Sequence, residues 1–557
     1  MRPIKFLCIV VFIAVVTSCA PKENPLLQWE PYDETPVLTA NENHPVKRLR
    51  YRQILSPFQD KDALMASFYD EFKYYDVAQH QSLAPLILEQ DIATLQAHIA
   101  AGKLSYEALT LFYLYRIYTA ELEHNRFLNA VLQINPNVLE EARAKDKAYK
   151  KGGSFPPLFG MPILVKDNIN TVGTATTAGA LAFADNRTEE DAFIIHQLKN
   201  QGALILGKAN LSEWAYFFCK GCPVGYSAMG GQTLNPYGRM QLETGGSSSG
   251  SGVAVAANYA VAAIGSETSG SILSPSGKNA VVGLKPTIGA LSRSGIIPIS
   301  ASLDTPGPMT KNVRDNALLY NAMLGADTKD AASYAAEKIA VDALNQATLE
   351  GKTLAYIEDF KDNPLYAQAL KDLEAAGATL VAFTPNSQRL ENFGVRLAAE
   401  MKRDLPAYVK QFAAAKLPFI SVAAVAAFND EALDTRAPYG QGNFDAIVEN
   451  TTTAEELATI VAEMTQKGRH YFAPAFSDAK ADAVLSINNY NAGVAAVAYY
   501  PALTVPMGFK DNGAPQNLTF IAPSRQEQQL YRLAAAYEKL TQHRTPPKEH
   551  PHAYEKQ

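Results

Sequence analysis

Apolar and polar residues alternate along the chain in short blocks that predict an α/β protein. The apolar run 160–166 ends on a lysine and predicts a buried strand. Thr188-Glu189-Glu190-Asp191 has the composition of a capping box, and apolar residues share one face of the helix that would follow over 192–201. Gly202 would end that helix before a second apolar run, 203–206. A strand, a helix and a strand at this spacing predict a parallel βαβ unit.

The pattern recurs later in the chain. Residues 353–383 again predict a strand, a helix and a strand, and residues 502–540 predict a last strand and a last helix. Residues 89–147 have helical periodicity, whereas 386–485 are Ala-rich and mostly helical without a catalytic sequence. The chain is therefore expected to be an α/β protein with a largely helical insertion.

The first 19 residues differ from the rest. Two positive charges, Arg2 and Lys5, precede an apolar run of 11 residues, which is too short to span a membrane and fits a secretory signal. The following Val16-Thr17-Ser18-Cys19 resembles a bacterial lipobox, and the alternative is an ordinary signal that happens to contain a cysteine. We expect an exported lipoprotein of the bacterial cell envelope, in the periplasm or at the outer membrane. Acylated Cys19 would anchor the protein to the lipid bilayer.

Composition narrows the class of protein. The 557 residues are 47% hydrophobic and 19% charged, which is typical of globular proteins. The net charge of -6, without a run of like charges, argues against a nucleic-acid partner. Cys219 and Cys222 could form a small-loop disulfide, remain free thiols or form a redox site, and a zinc site would need two more ligands. The oligomeric state stays open.

A segment rich in glycine and serine carries the candidate chemistry. Residues 245–252 read GGSSSGSG and are followed by small residues, an apolar strand and SETSGSI at 266–272. A flexible linker would not enclose a strand, and a phosphate loop would need a different glycine spacing. GSSSG at 246–250 matches the nucleophile elbow of α/β-hydrolases, but the strongly apolar strand that should precede it is absent. The remaining interpretation is a loop whose backbone N–H groups approach a substrate.

The stretch from Gly245 to Pro286 resembles the signature of the amidase signature family of serine hydrolases. Residues 160–168, 304–309 and 500–506 resemble further segments of that family, in the same order. The resemblance implies the amidase-signature fold, a large mixed β-sheet covered by helices on both faces. Together with the N-terminal segment and the polar tail, it gives the expected organisation: a lipoprotein signal peptide at 1–18, a tether and N-terminal extension at 19–85, an amidase domain at 86–545 with the helical insertion at about 386–485, and a disordered tail at 546–557.

The resemblance assigns roles to individual residues. Ser271 would be the nucleophile, Ser247 the bridging serine after a cis peptide bond from Gly246, and Lys166 the terminal base. The oxyanion hole would consist of the backbone N–H groups of Thr268, Ser269, Gly270 and Ser271. A serine hydroxyl needs a base to become nucleophilic, and a lysine serves only where burial lowers its pKa. The apolar residues before Lys166 suit that requirement.

The implied reaction is hydrolysis of a carboxylic amide C–N bond through an acyl-enzyme, without a metal or organic cofactor. Substrates would be small-molecule or peptide amides. Glu267, Ser269 and Leu273 depart from the commonest family residues, but none removes a member of the triad. The alternatives are a non-catalytic, lipid-anchored binding protein on the same scaffold and an amidase-fold esterase. The family's tRNA-dependent amidotransferase subunit does not fit an exported chain.

Overall fold

The structure is a computed structural model that describes residues 25–548 except 31, 76 and 387–389. The predicted signal peptide, the candidate lipidation site Cys19 and nearly all of the predicted tail lie outside the described residues. Among the described helices, none has the length and apolar character needed to cross a membrane.

The strands determine the architecture. They are β1 (Val131–Ile134), β2 (Pro162–Lys166), β3 (Leu204–Ala209), β4 (Tyr226–Ser227), β5 (Gly231–Gln232), β6 (Ala262–Glu267), β7 (Val282–Lys285), β8 (Thr305–Thr310), β9 (Thr353–Ile357), β10 (Thr379–Phe383), β11 (Ala483–Ile487), β12 (Ala502–Phe509) and β13 (Pro515–Ile521). All except the short β4–β5 pair join one mixed sheet in the order β1-β3-β2-β6-β8-β7-β12-β13-β11-β9-β10. The predicted α/β class with a large mixed sheet is confirmed.

Helices pack around this sheet. They are α1 (Thr35–Asn41), α2 (Lys61–Met65), α3 (Tyr69–Lys73), α4 (Val77–Ile87), α5 (Ile92–Ala100), α6 (Tyr106–Glu121), α7 (Val138–Lys150), α8 (Phe193–Asn200), α9 (Ser249–Ala256), α10 (Leu273–Lys278), α11 (Val313–Met323), α12 (Pro364–Ala375), α13 (Phe393–Phe412), α14 (Val422–Asp430), α15 (Leu433–Arg436), α16 (Gly442–Glu449), α17 (Ala454–Ala473), α18 (Ala492–Val497) and α19 (Glu527–Thr541). Every residue of α9 is buried, which explains why small residues dominate it.

The centre of the sheet positions the candidate site. β2 lies between β3 and β6 and is parallel to both, whereas β6 pairs antiparallel with β8. Lys166 is the last residue of β2, and Glu267, the last residue of β6, pairs with Thr305 at the start of β8. Segments that carry the family resemblance therefore meet where β2 and β6 end and β8 begins.

One local prediction is wrong. The predicted capping box at Thr188 does not begin the helix, because α8 begins at Phe193 after Ala192 and has no side-chain cap. The Thr188 hydroxyl donates to the Glu190 carbonyl instead, and the Asp191 carboxylate accepts the N–H of Val172 and pairs with Lys199. Tertiary partners thus outcompete the local cap. The βαβ unit of β2, α8 and β3 is confirmed.

Candidate active site

Lys166 is fully buried and faces a set of hydroxyl groups. Its Nζ lies 2.8 Å from Ser247 Oγ, 2.9 Å from Ser266 Oγ and 3.0 Å from the Ser266 carbonyl oxygen. The Asn168 side chain donates to Ser266 Oγ at 3.0 Å and holds that hydroxyl in place. The Lys166 amine is therefore held against Ser247 by Ser266 near the end of β6, and Ser266 is held in turn by Asn168, which lies two residues after Lys166.

Burial changes the protonation of this lysine. Loss of water lowers the pKa of Lys166 to about 7, although the negative charges of Asp304 and Glu267 act in the opposite direction. A lysine with this pKa has a substantial neutral fraction near pH 7, and a neutral amine accepts a proton from a hydroxyl group. The environment thus makes Lys166 suitable as a base.

Ser247 follows a cis peptide bond from Gly246 and is fully buried. Its carbonyl oxygen accepts the N–H of Ser212 at 3.0 Å, which ties this turn to the loop after β3. The next residue connects it to Ser271, because the N–H of Ser248 donates to the Ser271 carbonyl oxygen at 3.1 Å. Ser271 is 8% exposed, whereas the bridging serine has no exposed surface.

Residues 268–271, here called the nucleophile loop, are held by the carboxylate that precedes them. Glu267 accepts the N–H of Gly270 at 2.6 Å, of Ile272 at 2.7 Å and of Leu273 at 3.0 Å. Gly270 has φ +89°, and a Cβ there would lie 2.9 Å from Asn489 Nδ2, so a larger residue would be strained and crowded. Glu267 thus bends the loop around its own side chain.

This geometry distinguishes the four predicted oxyanion-hole donors. The N–H of Gly270 already donates to Glu267. In the described chain, no hydrogen bond from the N–H groups of Thr268, Ser269 or Ser271 to another residue is observed. These three N–H groups, unlike that of Gly270, are therefore available to donate a hydrogen bond.

A second carboxylate holds the other side of the loop. The Thr268 hydroxyl donates to Asp304 Oδ1, while Asp304 Oδ2 accepts the N–H of Ile299 at 2.8 Å and of Ser300 at 2.9 Å. Burial raises the pKa of Asp304 to about 6, and its hydrogen bonds partly offset that rise. Asp304, Ser266 and Asn168 are site residues to which the sequence patterns assign no role. The signal that could have identified them is their position, because each lies inside one of the segments that resemble the family, 160–168, 245–286 or 304–309.

The cysteine pair lies in the loop after β3. Cys219 and Cys222 form a disulfide with Cα atoms 5.8 Å apart. Upstream of it, Trp214, Ala215 and Tyr216 all have positive φ, a run that non-glycine residues adopt only where packing enforces it. Trp214 packs between Phe183 and Phe444 of α16, so the helical insertion supports this loop. No group of His, Cys, Asp and Glu able to hold a metal is found among the described residues.

Known proteins are similar to this chain in sequence and in structure. The amidase family profile matches residues 108–439. A probable amidase of Arabidopsis thaliana is 34% identical over 441 residues, which cover 76% of this chain and 85% of the plant protein.

Two solved structures resemble the whole fold. An amidase family protein from Bacillus anthracis has 35% identity and a TM-score of 0.83, over 88% of this chain and 98% of that chain. The native peptide amidase from Stenotrophomonas maltophilia has 37% identity and a TM-score of 0.78, over 83% of this chain and 98% of that chain. The chain therefore belongs to the amidase signature family and is an amidase, an enzyme that hydrolyses amide C–N bonds.

Proposed function

We propose that this enzyme cleaves its amide through Ser271 as nucleophile, Ser247 as proton relay and Lys166 as base. The observation that carries the proposal is the contact of 2.8 Å between Lys166 Nζ and Ser247 Oγ in a fully buried environment. A neutral amine there accepts a proton from Ser247, which in turn accepts one from Ser271. The pKa of Lys166, about 7, supports this direction of transfer.

Each chemical step then has an assigned group. Ser271 Oγ bonds to the amide carbon while its proton moves to Ser247 and one proton moves from Ser247 to Lys166. The carbonyl oxygen becomes negative and accepts the N–H groups of Thr268, Ser269 and Ser271. Collapse breaks the C–N bond, and the relay returns a proton to the departing nitrogen. Water repeats the sequence on the ester, which releases the acid and regenerates Ser271.

Peptide amides are the substrate class that the comparisons favour among those considered from the sequence. The Stenotrophomonas relative is a peptide amidase, and its similarity extends over most of both chains. We include small-molecule amides in the proposal, because the catalytic step requires only a carbonyl beside Ser271.

A fluorophosphonate probe tests the assignment of the nucleophile. We expect the wild-type chain to be labelled and the Ser271→Ala variant to be unlabelled and unable to release ammonia from amides. Ser274, three residues further along the chain and half-buried, provides the matched control. The Ser274→Ala variant should be labelled like wild type. Labelling that survives in Ser271→Ala, or a wild type that neither reacts with the probe nor hydrolyses amides, would contradict the proposal.

The pH dependence tests Lys166 as the base. Activity should rise with pH through a midpoint near 7, because only the neutral lysine accepts a proton. The negative charge of Asp304 raises the pKa of Lys166, so the Asp304→Asn variant should move this midpoint to lower pH. Asp404, which accepts the N–H of Ala301 at 2.7 Å, is the control carboxylate. A profile of kcat/KM that shifts upward in Asp304→Asn, or shifts equally in Asp404→Asn, would argue against this assignment.

A further inference from the structure

The loop after β3 closes on itself beside the proposed relay serine. The N–H of Ser212 donates to the Ser247 carbonyl oxygen at 3.0 Å, and the N–H of Gly225 donates to Ser212 Oγ at 2.8 Å. Residues 212–225, here called the support loop, therefore begin and end at the same point. That point lies against the turn that contains the cis peptide bond.

Both ends of the support loop contact Gly246, the first residue of that peptide bond. A Cβ on Gly246 would lie 2.6 Å from both Ser212 Oγ and Val224 Cγ1, so these side chains pack directly on the glycine backbone. The Val224 carbonyl oxygen accepts the side-chain amide of Gln232 at 2.8 Å. In such close packing, a displacement of Val224 changes the support of Gly246 and, through the next bond in the chain, the position of Ser247.

The disulfide lies two residues before Val224 in the support loop. Cys219 and Cys222 are joined, and the Tyr216 hydroxyl donates to the Cys222 carbonyl oxygen at 2.9 Å. On the other side, the side-chain amide of Asn443 in α16 donates to the Cys219 carbonyl oxygen at 3.3 Å. The cross-link therefore joins the part of the loop that α16 holds to the part that leads to Val224.

Local backbone preference does not maintain the shape of the support loop. Trp214, Ala215 and Tyr216 have φ values of 50°, 54° and 75°, a region that residues with side chains rarely adopt. Such a conformation persists only where surrounding contacts impose it. The hydrogen bond from Tyr216 to Cys222 connects this strained turn to the cross-link, so opening the disulfide removes one of the restraints.

The fold itself should survive loss of the cross-link. The two cysteines are separated by only three positions in the sequence, and stabilisation by a disulfide grows with the length of the loop that it closes. The rest of the support loop is held by ring packing, with Trp214 between Phe183 and Phe444, and Phe218 5.0 Å from Phe444. Reduction should therefore loosen Val224 without unfolding the protein.

On the basis of the proposed function, we propose that the Cys219–Cys222 disulfide positions the relay serine Ser247, and that a dithiol which opens it lowers turnover reversibly. The two residues between the cysteines, 220 and 221, are exposed, which places the cross-link directly beneath the protein surface.

Reduction by dithiothreitol proceeds by thiol–disulfide exchange. One thiolate of dithiothreitol bonds to the sulfur of one cysteine, the S–S bond breaks, and the other cysteine leaves as a thiolate that takes up a proton. The second thiol of dithiothreitol then displaces the first cysteine and forms a cyclic disulfide. The protein gains two thiols, and dithiothreitol is oxidised.

The test uses the full-length chain before and after treatment with dithiothreitol. We expect reduction to lower kcat for hydrolysis of peptide amides by about 10- to 100-fold with KM within about threefold, because a small displacement of a catalytic group costs rate rather than binding. The rate of fluorophosphonate labelling should fall in parallel, and oxidised glutathione should restore both. Mass spectrometry after alkylation establishes that Cys219 and Cys222 are free, and Tm should stay above the assay temperature.

Variants separate positioning from stability. The double variant Cys219→Ala/Cys222→Ala should have the kcat of the reduced wild type and should respond to neither dithiothreitol nor oxidised glutathione. Val224→Ala keeps the disulfide but removes the contact with Gly246, so it should lower both kcat and the labelling rate by about tenfold. Val409, a half-buried valine that packs on the same apolar cluster as the two cysteines, is the matched control, and Val409→Ala should retain wild-type kcat.

Several results would overturn this proposal. It is wrong if kcat is unchanged once both cysteines are free, or if excess dithiothreitol leaves the disulfide closed in the folded protein. It is also wrong if dithiothreitol inactivates the double variant as well, or if activity is lost only together with the fold in thermal unfolding. Those results with intact fluorophosphonate labelling of the oxidised wild type would overturn only the role of the disulfide. Absence of that labelling would overturn the proposed function itself.

Discussion

Replacing Lys166 by methionine is expected to lower kcat by about four orders of magnitude, as removal of a triad member does in other serine hydrolases. Methionine matches the length of lysine but accepts no proton, so Ser247 loses the proposed base, whose Nζ lies 2.8 Å from its Oγ. The N–H groups around Ser271 remain, so a low residual rate should persist. That rate should no longer rise through pH 7.

Stability should not explain this loss. The pKa of Lys166 is about 7 in the folded chain, below the 10.5 that is usual for a lysine in water. Between these values the unfolded chain binds more protons, so this residue makes the fold less stable as the pH falls from about 10.5 to about 7. Methionine removes that penalty, and thermal unfolding at pH 7 should therefore show no large decrease in Tm.

A second buried lysine is the matched control. Lys285 in β7 is fully buried, and burial lowers its pKa to about 8, but its Nζ makes no hydrogen bond within the described chain. We expect Lys285→Met to retain kcat within about tenfold, because it contacts no serine of the proposed relay. Equal losses in the two variants would mean that Lys166 acts through packing and charge alone.

Local sequence patterns predicted the elements better than their arrangement. The strand, helix and strand predicted over 353–383 are confirmed by β9, α12 and β10, because each strand is a short apolar run with breakers nearby. The placement of β6 between β2 and β8 depends on ladders between distant segments, which no local pattern encodes. The strand β13 was not predicted at all, although it pairs along the full length of β12.

The same limit applies to the candidate site. The family resemblance named Lys166, Ser247 and Ser271, since they lie inside long matching segments. The groups that position these residues lie far from them in the sequence. Lys166 contacts Ser266, 100 residues away, and Thr268 in the nucleophile loop donates to Asp304, 36 residues away. The assignment of Cys19 as a lipid anchor stays a prediction, because it depends on residues outside the described range.

Glu267→Gln is expected to lower kcat by about 10²- to 10³-fold with a much smaller change in KM, which is the loss reported for a missing oxyanion-hole donor. The carboxylate accepts three N–H groups, from Gly270, Ile272 and Leu273. Glutamine presents one NH₂ group where an acceptor is needed, so at least one of these N–H groups loses its partner. The nucleophile loop then no longer holds Ser269 and Ser271 N–H at the position where negative charge develops.

The matched control is Glu527, a buried carboxylate that accepts the N–H of Thr287 at 2.7 Å away from the nucleophile loop. Glu527→Gln should cost stability comparable to that lost in Glu267→Gln, and kcat should remain near the wild-type value. If Glu267→Gln keeps wild-type kcat while its Tm falls like that of Glu527→Gln, the carboxylate only stabilises the fold. A fall in kcat without a matching change in KM would instead show that the three N–H bonds set the geometry in which Ser271 reacts. An interaction made only in the transition state changes kcat, whereas one made equally in the ground state and the transition state changes KM.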